Sequence, residues 1–573
     1  MPPDEPTQPT VRPSMSRIPR AFNGRLTLSV LLIALSQVNF GLDLGIFSGS
    51  QAFPAFARDF GALNATLDPP RHEVEPYFLS LLNSLPYVGF MLGMAQGSLV
   101  SARWGRRTTL QAMCVWAVVG ATVCVTAESR VAVLLGRCIA YVYIGMEMAV
   151  VPVMQSEIVP PHVRGFIVAT YHTGIGIGTL ISALIVKGAS EVQGDSSYRI
   201  TFGCLYIIPC LIFPCLLFIP ESPRWYLLKG REQDGLEALR KLRVGRFSDK
   251  EILEEFESYK STISMSNGTF KETFEGANRR RTLIVIGTNM LLHLTGLSFI
   301  TNYGTIFIQM QDAFNPFSIK IITSVLTVVE CILSQFLVDF VGRRYAFLTA
   351  ILPLTGQSRS ATIPSSHALL PPPSPLMLFG SIWQTLGLFC MGALGTVNNP
   401  PLSIRNGIIA LMPLFQAGFN IGWGAHMHVV VAEIPTLRLR DKTYAMGAAC
   451  NIAVQFLTSF SVPYLIYAQY AGLGSKVGFV FGGFCLLSVL FTWFFIPECT
   501  GKTLEEIDQL FIAGVSIRDF KSASLGGSMA GRQGGCSEDH DRPPGLELKR
   551  GVEEPRGSDL LKGGIASDVQ PAR

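Results

Sequence analysis

Three carboxyls interrupt stretches that are otherwise apolar: Asp43 in QVNFGLDLGIFSG (Gln37–Gly49), Glu147 in GMEMAVV and Glu330 in TVVECIL. A carboxylate inside a membrane helix costs about 2.5–3.5 kcal/mol on insertion scales, so such groups face a bundle interior or a wet cavity. Three histidines, His172, His293 and His428, sit in similar surroundings, where a pocket role competes with a purely structural one. Other chemistries find no residues to carry them. The chain has no nucleotide-binding loop, nucleophile elbow, CxxC pair or histidine cluster, so neither an enzyme, a cofactor nor a metal site is expected.

Long apolar elements must hold these groups. Of 573 residues, 49% are hydrophobic and only 15% charged, where a soluble chain carries about 25%. Mean hydropathy is +0.36. Stretches of about 20 apolar residues match a bilayer core. They occur at Leu26–Gly49, Phe78–Val100, Thr109–Ala127, Val131–Met154, Gly165–Ala189 and Tyr198–Ile219. A second set follows at Thr282–Gln309, Pro316–Phe340, Leu376–Val397, Gly407–Ala432, Tyr444–Ala468 and Val477–Ile496. The expectation is an all-α, multi-pass membrane protein with a tail (1–25), a six-helix bundle (26–219), a linker (220–281), a second bundle (282–496) and a tail (497–573). The first span has no cleavage signature behind it and reads as retained. Most of the twelve Cys lie in apolar runs and none in a predicted outer loop, so no structural disulfide is expected.

Lys and Arg concentrate in alternate loops: Arg103, Arg106 and Arg107, then Arg343 and Arg344, then Arg438, Arg440 and Lys442. The basic linker falls on the same side, which places it and both termini in the cytoplasm. Asn64-Ala65-Thr66 then lies outside as a glycosylation acceptor, whereas Asn267-Gly268-Thr269 lies inside. EALRKLR (Glu237–Arg243) reads as an amphipathic helix, most simply a solvated linker. The tail beyond Gly514 is rich in Gly, Ser and charge and reads as disordered. LTGQSRSATIPSSHALLPPPSP (Leu354–Pro375) interrupts a span that is continuous without it; it is either a long cytoplasmic loop or a translated intron.

The halves repeat each other. WGRR (Trp104–Arg107) follows the second span and VGRR (Val341–Arg344) the eighth. SEIVPPHVRG (Ser156–Gly165) follows the fourth, and AEIPTLRLR (Ala432–Arg440) the tenth. PESPRW (Pro220–Trp225) closes the sixth, and PECTGKTLEEID (Pro497–Asp508) the twelfth. Three motif pairs at matching positions indicate a duplicated six-span unit. With these motifs the chain resembles the sugar porter family of the major facilitator superfamily, its wording closest to fungal members. The resemblance runs from about Leu26 to Asp508 and implies two six-helix bundles around a central cavity, working by alternating access. It further implies a cytoplasmic gate: Arg106 and Arg107 with Glu433 and Arg440, a mirror set of Arg343, Arg344, Glu157 and Arg164, and Glu221 and Glu498 at the bundle ends. The acidic residue that the family places before GRR is Ala102 in the first half and Asp339 in the second, so the first lock is expected to be the weaker.

The same resemblance puts Asp43 at the acidic position of proton symporters, and Arg137, in LLGRC, at its basic partner. It implies that the pair forms when Asp43 is ionised and breaks when it is protonated; a structural Asp–Arg pair is the competing reading. At the family's sugar-contacting positions stand Thr173, His293, Ser298, Thr327 and His428, with amides kept at Asn451 and Gln455. Leu292 also replaces a usual amide. Such a pocket is roomier and poorer in amides than a hexose site, so a disaccharide, pentose, polyol or cyclic acid fits as well as glucose. The expected function is transport of a sugar or polyol by proton symport at the plasma membrane, with the bilayer as surroundings and no nucleic-acid partner. The alternatives are a facilitated-diffusion uniporter and a non-transporting sugar sensor on the same fold.

Overall fold

The computed structural model describes residues 22–64, 71–160, 164–263, 269–341, 375–436, 438–497, 504–517 and 520. Eleven of its helices are long and apolar enough to cross a membrane. In the first half these are α1 (Gly24–Ser50), the pair α2 (Pro76–Ser84) and α3 (Pro86–Trp104), α4 (Arg106–Val125), α5 (Arg130–Ile158), α6 (Arg164–Ala189), and the sixth span formed by α7 (Ser196–Gly203) and α8 (Ile207–Cys215). A two-stranded hairpin, Ala62–Asn64 against Arg71–Glu73, stands between α1 and α2. Asn64 ends its first strand; 65–70 lie outside the described residues.

The second half contains α12 (Gly276–Leu294), α13 (Leu297–Gln311), α14 (Pro316–Val341), α15 (Pro375–Leu394), α16 (Leu402–Gly418), α17 (Ala425–Glu433), α18 (Arg440–Ile466) and α19 (Val477–Phe495). Two spans of the second half that read as continuous in sequence are broken. The seventh stops at Leu294 and restarts at Leu297 because Gly296 adopts φ +93°, where a Cβ would also strike Phe481 at 2.8 Å. The tenth carries a π-helical turn, Phe419–Gly424, between α16 and α17, and is not among those eleven. Of the insert Leu354–Pro375, all but Pro375 lies outside the described residues, as do 498–503 and 521–573.

Small residues set the close packing within the first half. A Cβ on Gly93 would lie 2.1 Å from the Val142 carbonyl oxygen, so α3 and α5 touch backbone to backbone. The halves meet where Ser48 Oγ donates to the Thr301 carbonyl at 2.8 Å, and Ser80 Oγ to that of Phe460 at 2.9 Å. By the charge-based orientation these contacts lie in the outer part of the bundle.

The linker departs from the solvated helix expected of it. It folds as α9 (Pro223–Leu228), α10 (Glu232–Arg243) and α11 (Asp249–Ile263) around Leu239, Ile252, Phe256 and Tyr259. Arg243 is fully buried, pairs with Glu255 at 2.9 Å and donates to the Ile158 carbonyl at 2.8 Å, docking α10 onto the end of α5. The guanidinium supplies a donor to a carbonyl that the end of α5 leaves without a partner in its own helix.

Candidate functional site

Asp43 and Arg137 meet inside the first bundle. Arg137 Nη1 donates to Asp43 Oδ1 at 2.5 Å, and the two side chains are 3% and 2% exposed. Tyr143 Oη donates to the other carboxylate oxygen at 3.3 Å. The guanidinium lies over the Phe47 ring, 3.8 Å from its centroid, and beside Tyr141 at 4.8 Å. A cation held on an aromatic face and one carboxylate oxygen is stabilised by cation–π and ionic attraction together. This pair ties α1 to α5 inside the bundle.

At the GRR end of the first half, Gly105 separates α3 from α4 with φ +103°. It is needed for space as well as conformation, since a Cβ there would sit 2.2 Å from Glu221 Oε2. Glu221 accepts from the backbone N–H groups of Arg106 (2.8 Å), Arg107 (3.0 Å) and Ser222 (2.9 Å), a carboxylate seated on the N-terminus of α4. Burial pushes its carboxyl above the usual range, while these backbone donors and the Arg106 charge pull the other way. Arg106 makes a two-pronged contact with Glu157, both bonds at 3.0 Å, and Ser222 Oγ donates to the same carboxylate at 2.6 Å.

The partners differ from those the family pattern implies. Arg106 closes onto Glu157 of its own half, not onto Glu433, because the start of α4 and the end of α5 are neighbouring ends of antiparallel helices. Glu433 lies within electrostatic reach of Arg440 instead. Arg164 and Asp339 fall on α6 and α14, but their side chains lie outside the described residues, as do Arg343, Arg344 and Glu498 altogether.

Of the expected pocket residues, His293, Asn451, Ser298 and Gln455 come together where α12 and α13 face α18. His293 lies within reach of Asn451, whose Nδ2 donates to the Asn289 carbonyl at 3.2 Å. Thr458 Oγ1 lies 3.4 Å from Ser298 Oγ. Gln455 reaches Tyr87 of the first half, as do Asn302 and Ser459. Thr327 bonds back to the Thr323 carbonyl at 2.9 Å on its own helix. Thr173 is half-buried on α6, and the side chain of His428 lies outside the described residues. A second buried cluster escaped the sequence reading: Asn420 Nδ2 donates to Glu330 Oε2 at 2.9 Å, joining the π turn to α14. Fully buried Trp423, on the same turn, donates to Ser381 Oγ at 2.6 Å. The intramembrane acid Glu330 was the available signal, but its partner depends on the π geometry.

The profile of the family described as "Sugar (and other) transporter" matches residues 29–369 and 374–511. The chain is 28% identical over 509 residues to the high glucose sensor RGT2 of Saccharomyces cerevisiae, covering 85% of this chain and 63% of that protein's length. It is 28% identical over 455 residues to a high-affinity glucose transporter of Kluyveromyces lactis, covering 76% and 80%. Among solved structures, the inward-open xylose transporter XylE of E. coli superposes with a TM-score of 0.65 at 19% identity, over 85% of this chain and 99% of that one. That likeness shows the major facilitator fold.

Proposed function

The chain belongs to the sugar transporter family, and on that premise we propose that it carries a sugar or polyol across the plasma membrane by alternating access coupled to a proton at Asp43. The observation that carries the coupling is the buried Asp43–Arg137 pair. With Asp43 ionised, the pair holds α1 against α5. A proton on Asp43 removes the charge, releases Arg137 to its aromatic neighbours and frees the two helices to move. Removing one charge from a buried pair is worth several kcal/mol, enough to shift a two-state equilibrium decisively.

The substrate is proposed to lie between the halves, against His293, Ser298, Asn451 and Gln455, with Thr173, Thr327 and His428 as further contacts. The cytoplasmic gate is proposed to comprise Arg106, Arg107, Glu157 and Glu221, with Glu433 and Arg440 opposite and Arg164, Asp339, Arg343, Arg344 and Glu498 as the remaining members. Its first-half core clamps α3, α4, α5 and the start of the linker, so that half moves as one body. Asn64 is the proposed glycosylation site.

The test is uptake of labelled hexoses, pentoses, disaccharides, polyols and quinate in cells lacking their own carriers, at acid and neutral outer pH, with and without a protonophore. Symport predicts accumulation at acid pH that both the protonophore and Asp43→Asn abolish. Equilibrating, pH-independent uptake by wild type and variant alike would make Asp43 structural and the protein a facilitator. Similarity to a protein named as a glucose sensor supports a second reading, in which no member of the panel moves and signalling requires the tail beyond Gly514.

A further inference from the structure

The outer face of α3 ends in charge. Val88, Leu92, Leu99 and Arg103 share one side of this helix, because their separations are close to whole turns. The three apolar side chains are exposed, Leu99 by 71%. On a span of bilayer length such a stripe is covered by acyl chains. It runs into a groove of about 650 Å3 whose lining includes Gln96, Leu99, Val100, Arg103, Trp104 and Lys229.

The linker supplies the opposite wall. Trp225 Nε1 donates to the Ala102 carbonyl at 3.2 Å, which seats α9 against the end of α3. Lys229, the residue after α9, is thereby brought to the groove. No carboxylate lines it, and among the described residues neither Arg103 nor Lys229 forms an ion pair. The Arg103 guanidinium instead lies 5.3 Å from the centroid of the exposed Trp104 ring. Nearby acids of the linker are engaged by other cations, Asp234 by Arg231 and Glu232 by Lys260.

We propose that this groove binds one anionic glycerophospholipid, with its headgroup held between Arg103 and Lys229 and its acyl chains laid along Leu99, Leu92 and Val88. Two unpaired cations at the rim of an apolar channel complement both ends of such a molecule. A soluble anion would leave the apolar stripe unused, and a zwitterionic lipid would bring a cation of its own toward Lys229. Trp104 stands between chain and headgroup, where indole rings settle at a membrane surface. By the charge-based orientation this is the cytoplasmic leaflet, in which anionic lipids attract basic groups. Bound there, the headgroup bridges the first bundle to the linker beside the Trp225–Ala102 bond. Each cation should contribute about fivefold to the preference for an anionic headgroup.

Trp104 makes occupancy measurable without any transported substrate. Full-length protein is reconstituted in phosphatidylcholine vesicles carrying a minor fraction of brominated phosphatidylserine or, in parallel, of brominated phosphatidylcholine. The fluorescence difference between wild type and Trp104→Phe isolates quenching in the groove. Brominated phosphatidylserine should quench it at a fraction about twentyfold lower than the choline lipid does. Arg103→Gln combined with Lys229→Gln should erase that preference, whereas Arg103→Lys combined with Lys229→Arg should keep it. Each single Gln variant should lose about fivefold, which keeps the test decisive if the double variant fails to fold. Equal quenching by the two lipids in wild type, or an undiminished preference in the Gln variants, overturns the proposal. Displacement of the quencher by inorganic phosphate as readily as by unlabelled phosphatidylserine would assign the groove to a soluble anion and overturn it too. None of these outcomes bears on proton coupling at Asp43.

Discussion

The fourth and tenth spans occupy equivalent places in the two halves, yet their interiors differ. Aligned on Glu157 and Glu433 of the repeated motif, Arg137, Tyr143 and Glu147 correspond to Pro413, Phe419 and Trp423. At these positions the fourth span buries a guanidinium, a phenol and a carboxyl; the tenth has an imino acid and two large aromatics, both aromatics buried. The fold therefore does not need the charges. A buried ion pair is often no more stabilising than a well-packed apolar replacement, so charges kept in one copy of a duplicated unit point to work done there. The second half places its polar groups elsewhere, as amides and a histidine at the broken seventh span and as Asn420 with Glu330 at the π turn. Proton handling on one side and substrate recognition on the other is the division this difference supports.

The sharpest way to break the comparison is Arg137→Ala. It leaves Asp43 buried without its cation and should destabilise the protein by about 3–5 kcal/mol, read as thermal unfolding in detergent. Adding Asp43→Asn should recover most of that loss, because the interaction is pairwise. Arg106→Ala should cost nearly as much, about 3 kcal/mol, since Glu157 then retains only Ser222 Oγ as a donor among the described residues. Asn420→Ala removes the amide from Glu330, and about 1–3 kcal/mol of lost satisfaction should appear as weaker substrate affinity with accumulation at acid pH preserved. Smallest is Trp423→Phe, which deletes one hydrogen bond to Ser381 and should cost about 0.5–1.5 kcal/mol without altering pH dependence. A loss of coupling in either second-half variant would dissolve the division between the halves.

Much of this architecture is legible from residues alone. Apolar run lengths locate the spans, the three motif pairs expose the duplication, and the cost of a buried carboxylate singles out Asp43. Family pattern supplies Arg137 as its partner, and the two side chains do meet. Partner choice around the GRR motif of the first half was not legible. Arg106 has acids available in both halves, and only the antiparallel ends of α4 and α5 decide for Glu157. The break in the seventh span has a local signal in Gly296, but no such signal marks the π turn of the tenth. A single extra residue in a helical turn leaves composition and hydropathy almost unchanged, although it decides which groups meet Glu330.

Proton movement itself tests the central claim most directly. Purified full-length protein in liposomes, given an inward gradient of whichever panel substrate it transports, is followed with an external pH electrode. Wild type should alkalinise the medium as substrate enters, and Asp43→Asn should exchange substrate with no pH change. Substrate entry without alkalinisation in the wild type, or equal alkalinisation in Asp43→Asn, would contradict proton coupling at the Asp43–Arg137 pair.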